Sequence, residues 1–368
     1  MSAATHEPAL RVLQVLGRSA GGIARHVAQI TEMLDGDGLR IDVAGPPDLP
    51  VAMPKPQISL DIPDGPRGHR RPISMLRAVV RRDGYEVVHA HGLRAGIDAA
   101  LACRSLDVPV LLTVHNLVRP DVSGRARAAF YKYAEPLAVG LAQRTFVVSE
   151  DIARHLRAVS PRRASKVEVL YLGVGDPPEV TRPAGEVKKE LGATRLVVTV
   201  SRLSAQKNLD VMLGALALLP ADVSLAVIGT GPDLQRLRVQ AQALGVGGRV
   251  HWLGWLTDVA DWLAAADVFC LSSNWEGVPL AAQEAILLDT PVVSTEVGGM
   301  PELIADRASG RLVPKGDGPA LAGALREVLF EEGVGTRYAR RAREELGRRF
   351  STERMLTRLR ESYRWAAG

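Results

Sequence analysis

Short runs of β-branched and aliphatic residues recur along this chain, each followed by a helical pattern and a break rich in glycine or proline. That alternation constrains the fold more than any other feature. Strands separated by helices cannot close as hairpins; each returns by a crossover, which builds a parallel sheet with helices on both faces. In the first half, strands are expected near Arg11 to Leu16, Arg40 to Ala44, Val87 to Ala90, Val108 to Val114, Thr145 to Val148 and Val167 to Leu172. In the second they are expected near Leu196 to Val200, Ser224 to Ile228, Val250 to Leu253, Val268 to Leu271 and Pro291 to Ser294. A chain of 368 residues exceeds what one core supports, so two doubly wound α/β domains are expected. The stretch Gly173 to Pro183, rich in Gly and Pro and without a clear period, marks the boundary. The division is placed at 1–175 and 176–345, with polar helical sequence from 346 to 368.

Hydrophobic residues make up 46% and charged residues 24%, the balance of an ordinary globular protein. No apolar run reaches the roughly 18 residues that span a bilayer, and the N-terminus lacks the charged and apolar regions of a signal peptide. A cytoplasmic location is therefore expected. Cys103 and Cys270 stand alone among apolar neighbours, as buried thiols do. The net charge of +5 is uneven: Arg67, Arg70, Arg71, Arg77, Arg81 and Arg82 crowd beside His69. Such a patch suits an anionic membrane surface, a phosphorylated acceptor or plain solvent. Aromatic residues are only 4%, and no nucleic-acid-binding signature accompanies the patch, so nucleic acid is not an expected partner.

Open α/β sheets bind ligands at the carboxyl ends of their strands, so the residues just after each strand carry the functional reading. After Leu196 to Val200 come Arg202 and Lys207, two cations beside a helix start near Asn208. Arg can hold two phosphate oxygens and Lys supplies a point charge, so a diphosphate is the natural partner. Glu276 is expected on a loop before a helix whose first turn holds Pro279, and Glu284 one to two turns inside that otherwise apolar helix. Hydroxyl groups would satisfy the carboxylates while the helix amides and dipole favour an anion, a pairing found in a sugar nucleotide. The alternative is a buried Glu284 paired with a core Arg beside an exposed Glu276.

Gly229-Thr-Gly231-Pro follows another strand, where glycine lets backbone approach a ligand or the facing domain. Gly21-Gly22 follows the first strand and presents amides ahead of a helix near Ile23, but Gly-x-Gly-x-x-Gly is absent, which weighs against a dehydrogenase. His89 and His91 could chelate a metal, yet no acidic residue or Cys joins them at ligand spacing and strand alternation is expected to part them, so no metal is expected. His115, with Asn116 at another strand end, suits a hydrogen-bonding role in a cleft.

Arg202 with Lys207, the spacing of Glu276 to Glu284, Gly21-Gly22, Gly229-x-Gly231-Pro and Gly298-Gly-Met-Pro-Glu302 together resemble family 4 of the retaining glycosyltransferases. The resemblance covers nearly the whole chain and is strongest from Val200 to Glu302. It implies the GT-B fold, with two Rossmann-like domains facing a cleft: an acceptor domain first, a sugar-nucleotide domain second, and a last helix that crosses back to the first. It places the donor diphosphate on Arg202 and Lys207, the ribose on Glu284, and the transferred sugar on Glu276 with the amides around Val278 and Leu280. Val250 to Leu256, represented by Val250 and Leu253, would line the base; His115 would contact the donor sugar, and Gly22 the phosphates. The implied donor is a UDP- or GDP-sugar with no further cofactor, the acceptor a sugar or a lipid-linked sugar, and the setting cell-surface polysaccharide, glycolipid or glycoconjugate synthesis at or near the inner membrane face. Ser201 and Pro279 depart from the family pattern, and Pro279 removes one amide. Other readings of the same residues are a GT-B-like epimerase or phosphorylase and a non-catalytic sugar-nucleotide-binding protein.

Overall fold

The structure, a computed structural model, describes residues 9–18, 22–49, 51–53, 57–65, 67–117 and 125–368, without the side chains of 125–130. Two compact units divide the chain, one made of residues 1–173 with 352–368 and the other of 174–351.

The first unit is built on strands β1 (Leu10–Leu16), β2 (Leu39–Gly45), β3 (Ile58–Ser59), β4 (Val87–His91), β5 (Val110–Val114), β6 (Arg144–Val147) and β7 (Val167–Val169). They form one sheet in the order β3-β2-β1-β4-β5-β6-β7, parallel throughout. The order reverses between β1 and β4, and a crevice opens at such a switch point. Because helices cover both faces, the central strands read as near-continuous apolar runs. Val12, Leu13, Val15 and Leu16 are all fully buried in β1. Gln14, His89, His91, Thr113 and Thr145 are the buried polar exceptions in these strands, and the partners of the first four matter below.

The second unit holds β8 (Arg195–Val200), β9 (Val223–Ile228), β10 (Val250–Gly254), β11 (Val268–Leu271), β12 (Val292–Thr295) and β13 (Arg311–Val313). Their order is β10-β9-β8-β11-β12-β13, again parallel, with the reversal between β8 and β11. All eleven expected strands are present. β3 and β13 were not foreseen, since two or three residues at a sheet edge are too short to show a period.

The expected division at 175/176 compares with one at 173/174, and the returning helix spans Thr352–Ala367. Its Met355, Leu356, Leu359 and Tyr363 form a stripe that packs on Val12, Ile30, Ile41, Val87 and Phe146 of the first unit. Glu353, Arg354, Thr357, Glu361 and Arg364 lie on its exposed side. Cys103 and Cys270 are free and buried, and burial pushes the Cys103 thiol up to about 12.

Candidate functional site

In the second unit, the loops after β8 and β11 leave the sheet side by side at the switch point and are stitched together. The Asn274 amide N–H donates to the Gln206 carbonyl (2.8 Å), its side chain donates to the Ala205 carbonyl (2.8 Å), and Gln206 donates to the Trp275 carbonyl (3.1 Å). Ser272 Oγ donates to the carbonyls of Lys207 and Asn208 at 3.1 and 3.0 Å. Asn208 caps the helix Leu209–Ala217 from a left-handed conformation, φ 47°, a strain that Asn tolerates better than most residues. None of Gln206, Asn208, Ser272 or Asn274 was singled out from sequence, although polar side chains crowding two strand ends were the available signal.

This stitching brings Lys207 and Glu276 together. Lys207 Nζ lies 2.5 Å from Glu276 Oε1, which also accepts from Ser273 Oγ at 2.6 Å. Glu276 is only 6% exposed. The carboxylate buried in an ion pair is therefore Glu276, held by Lys207, while Glu284 is half-buried in its helix; the sequence had pointed to the opposite depths. Arg202 is exposed on the same loop as Lys207, and its side chain makes no hydrogen bond or ion pair among the described residues. Pro279 is the cap of the helix Leu280–Leu287 rather than part of its first turn, so the amides of Leu280 and Ala281 open that helix.

The glycines act inside the protein. A Cβ on Gly229 or Gly231 would fall 2.1 Å from the carbonyl oxygen of Ser201 or Leu203, and one on Gly298 1.9 Å from that of Glu276. Gly229 and Gly231 thus pack on the loop after β8, and Gly298 on the loop after β11. Val250 must be reassigned: it opens β10, at the amino end of the strand, and is buried in the unit's core. Leu253 sits near the carboxyl end, followed by Gly254 at φ 71° and by Trp255, which is 66% exposed. A recess of about 490 Å³ lined by Asp267, Asp289 and Pro291 lies at the amino ends of β11 and β12, away from these loops.

In the first unit, Gly21 lies outside the described residues and Gly22 begins the helix Gly22–Leu34. His115, one residue past β5, is buried. Its Nε2 is 3.0 Å from Nδ1 of His91, whose Nε2 is 2.7 Å from Gln14 Oε1. Leu16, Arg18, His91, Arg94, His115 and Asn116 line a cavity of about 150 Å³ at the switch point between β1 and β4. Arg18 is paired with Asp48 and Asp61, and Arg94 with Asp64, so carboxylates offset both cations. The expected separation of His89 from His91 is wrong: residues two apart on a strand face the same side, and the rings are 4.4 Å apart. Burial lowers the pKa of His26 to about 4 and of His89 to about 3, and takes His91 and His115 well below the ordinary value. All four are neutral at pH 7. One ring nitrogen from each of His26, His91 and His115 lies within 4.8 Å of the others, close enough to share an ion.

Residues 185–345 match the model for glycosyl transferases group 1, and residues 20–176 that for glycosyltransferase family 4. Over 281 residues the chain is 31% identical to the protein named TuaC, a teichuronic acid biosynthesis glycosyltransferase of Bacillus subtilis, spanning 72% of this chain and 67% of that one. The chain belongs to family 4 of the glycosyltransferases. This glycosyltransferase is also 28% identical over 371 residues to the D-inositol 3-phosphate glycosyltransferase of Xylanimonas cellulosilytica, covering 88% and 87% of the two chains. Its fold is GT-B. HepE of Anabaena, solved with UDP and glucose, aligns with TM-score 0.82 at 21% identity over 96% of this chain and 99% of that one. Sucrose-phosphate synthase from Thermosynechococcus elongatus aligns with TM-score 0.83 at 22% identity over 98% and 100%. No described helix of the glycosyltransferase is long and apolar enough to cross a membrane.

Proposed function

We propose that this glycosyltransferase moves a hexose-type sugar from a nucleoside diphosphate sugar to an acceptor hydroxyl, with retention at the anomeric carbon and without a metal, in the synthesis of a cell-surface polysaccharide, glycolipid or glycoconjugate. The observation that carries this reading is the pair of stitched loops after β8 and β11, which gather Arg202, Lys207 and Glu276 beside the start of the helix Leu280–Leu287. Arg202 and Lys207 would stabilise the charge that develops on the departing diphosphate, and the helix amides would hold the neighbouring oxygens. Glu284 would receive the ribose and Glu276 the transferred sugar. Relatives support this donor chemistry: one is named as a UDP-galactose-dependent transferase that acts on a diphosphoundecaprenol-linked sugar.

Glu276 is a poor nucleophile for a covalent intermediate, because its Oε1 is engaged by both Lys207 and Ser273. Attack from the face that the leaving group departs, with the phosphate accepting the acceptor's proton, requires no side-chain nucleophile. The working position would be peripheral, at the inner face of an anionic membrane. Arg67, Arg70, Arg71 and Arg81 are exposed and form no ion pair among the described residues, and Met75 is exposed on the helix Arg70–Asp83 that carries the last three of them. The test is release of nucleoside diphosphate that depends on added acceptor, with the product's anomeric coupling read by proton NMR in the presence of excess chelator. An inverted product, or activity lost to the chelator and restored by magnesium or manganese, would refute the mechanism.

A further inference from the structure

The first unit carries a buried hydrogen-bonded chain that ends on His115. Tyr363, on the returning helix Thr352–Ala367, is fully buried, and its hydroxyl lies 2.8 Å from both Gln14 Nε2 and His89 Nδ1. His89 Nε2 is 2.7 Å from Thr113 Oγ1. From the other end of the Gln14 amide, Oε1 leads to His91 and His91 leads to His115.

The direction of every proton in this chain follows from one orientation. Gln14 Nε2 donates to the Tyr363 oxygen, so Gln14 Oε1 faces His91 and can only accept. His91 must then carry its proton on Nε2, which leaves Nδ1 as a bare lone pair. That lone pair can only accept, so His115 Nε2 must carry the proton it donates, and His115 Nδ1 is left proton-free. In the other branch, Tyr363 has accepted from Gln14 and gives its own proton to His89 Nδ1; His89 Nε2–H then donates to Thr113. Each imidazole keeps a single proton and the phenol keeps its own, because burial lowers the histidines and raises Tyr363.

We propose that Tyr363, Gln14 and His91 are positioning residues that hold His115 as the Nε2–H tautomer, with Nδ1 free to accept a hydrogen bond from a hydroxyl of the bound sugar. This rests on the proposed function only for the identity of that hydroxyl; the tautomer itself does not depend on it. A helix from the far end of the chain thus sets which nitrogen of a site residue is basic. A structural role for the same hydrogen bonds would be indifferent to which nitrogen of His115 bears the proton.

The experiment is long-range nitrogen–proton NMR on the full chain labelled at histidine nitrogen, together with steady-state kinetics. In the wild type, His89, His91 and His115 should each show a pyrrole-type Nε2 and a pyridine-type Nδ1. Gln14→Met removes the acceptor and should turn His115 into a mixture of tautomers, with kcat reduced at least tenfold and KM for the donor changed less than twofold. Tyr363→Phe frees the Gln14 amide to flip and should do the same more weakly. A wild-type His115 protonated on Nδ1 would overturn the proposal without requiring any variant to fold. So would an unchanged tautomer in both variants, an unchanged kcat beside a changed tautomer, or one equivalent of zinc retained through dialysis on His91 and His115. Tautomers as drawn in a protein that transfers no sugar would uphold the wiring and remove the function it serves.

Discussion

With Lys207 held against Glu276, a nucleoside diphosphate must compete with a carboxylate for its cation. That changes what substitutions should do. Arg202 is exposed and unpaired among the described residues, so Arg202→Ala is the clean probe. Calorimetry should show nucleoside diphosphate binding weakened by about ten- to a hundredfold, the equivalent of one charge-assisted contact worth about 1.5 to 3 kcal/mol. Unchanged affinity would remove the diphosphate from this loop. Lys207→Ala is not equivalent, because it strands the buried Glu276 without its cation and should cost about 3 to 5 kcal/mol of stability as well. Glu276→Gln frees Lys207 and removes a nearby negative charge, so nucleoside diphosphate binding should tighten by roughly three- to tenfold while turnover falls. Weaker binding in this variant would mean that Glu276 itself holds the nucleotide. The residue types at these positions were legible because strand ends and helix starts announce themselves; that Glu276 is the buried partner was not, since pairing across 69 positions leaves no local pattern.

Elements matter here through how closely they approach. Gly298 has φ 54° and would place a Cβ 1.9 Å from the Glu276 carbonyl oxygen, so Gly298→Ala must displace the loop that carries Glu276. Activity should be lost, with a fall in stability above about 2 kcal/mol from backbone strain and displacement together. Gly323, exposed inside the helix Gly318–Phe330 with nothing within 4 Å of its added Cβ, is the control. Gly323→Ala should raise stability by about 0.5 to 1 kcal/mol in chemical denaturation, and a loss there would show that alanine substitution is not being read correctly. The histidines at the ends of β4 and β5 and in the helix Gly22–Leu34 predict a pH response. His26 and His89 have an ordinary value of 6.5 and folded values of about 4 and about 3. The folded values are depressed, so the unfolded chain binds more protons below pH 6.5, and stability present above that pH is lost as it falls toward the folded values. Each such histidine contributes up to about 1.4 kcal/mol per pH unit in that window. His69 works the other way: burial disfavours its charge, but hydrogen bonds to Asp98 and the Gly65 carbonyl outweigh it and raise its pKa. Five depressed histidines, His251 among them, against one raised should make the urea midpoint fall between pH 7 and pH 5; a flat midpoint would mean that those rings are hydrated.

At the scale of the whole molecule, the returning helix Thr352–Ala367 completes the core of the first unit. Met355, Leu356, Leu359 and Tyr363 each contribute about 1.5 to 3 kcal/mol by burial, which together rivals the 5 to 15 kcal/mol that holds a typical domain folded, so truncation after Ser351 should unfold the first unit. Residues 174–351 keep their own sheet and core, so the truncated chain should still bind nucleoside diphosphate; loss of both properties at once would show that the units fold as one. Two doubly wound sheets, eleven of their strands, and the loops that carry Arg202, Lys207 and Glu276 were determined by the sequence alone. Each is a local matter: a run of β-branched residues, a period, a glycine or proline break, a charge at a strand end. Tertiary structure decided the rest. It put Val250 in the core rather than at the ligand edge, turned the glycines toward neighbouring loops, paired Lys207 with Glu276, and tied Tyr363 to Gln14 and His89 across 349 and 274 positions. Contacts at such separations depend on how the sheets twist and which helix closes which face, and no stretch of sequence, read by itself, holds that information.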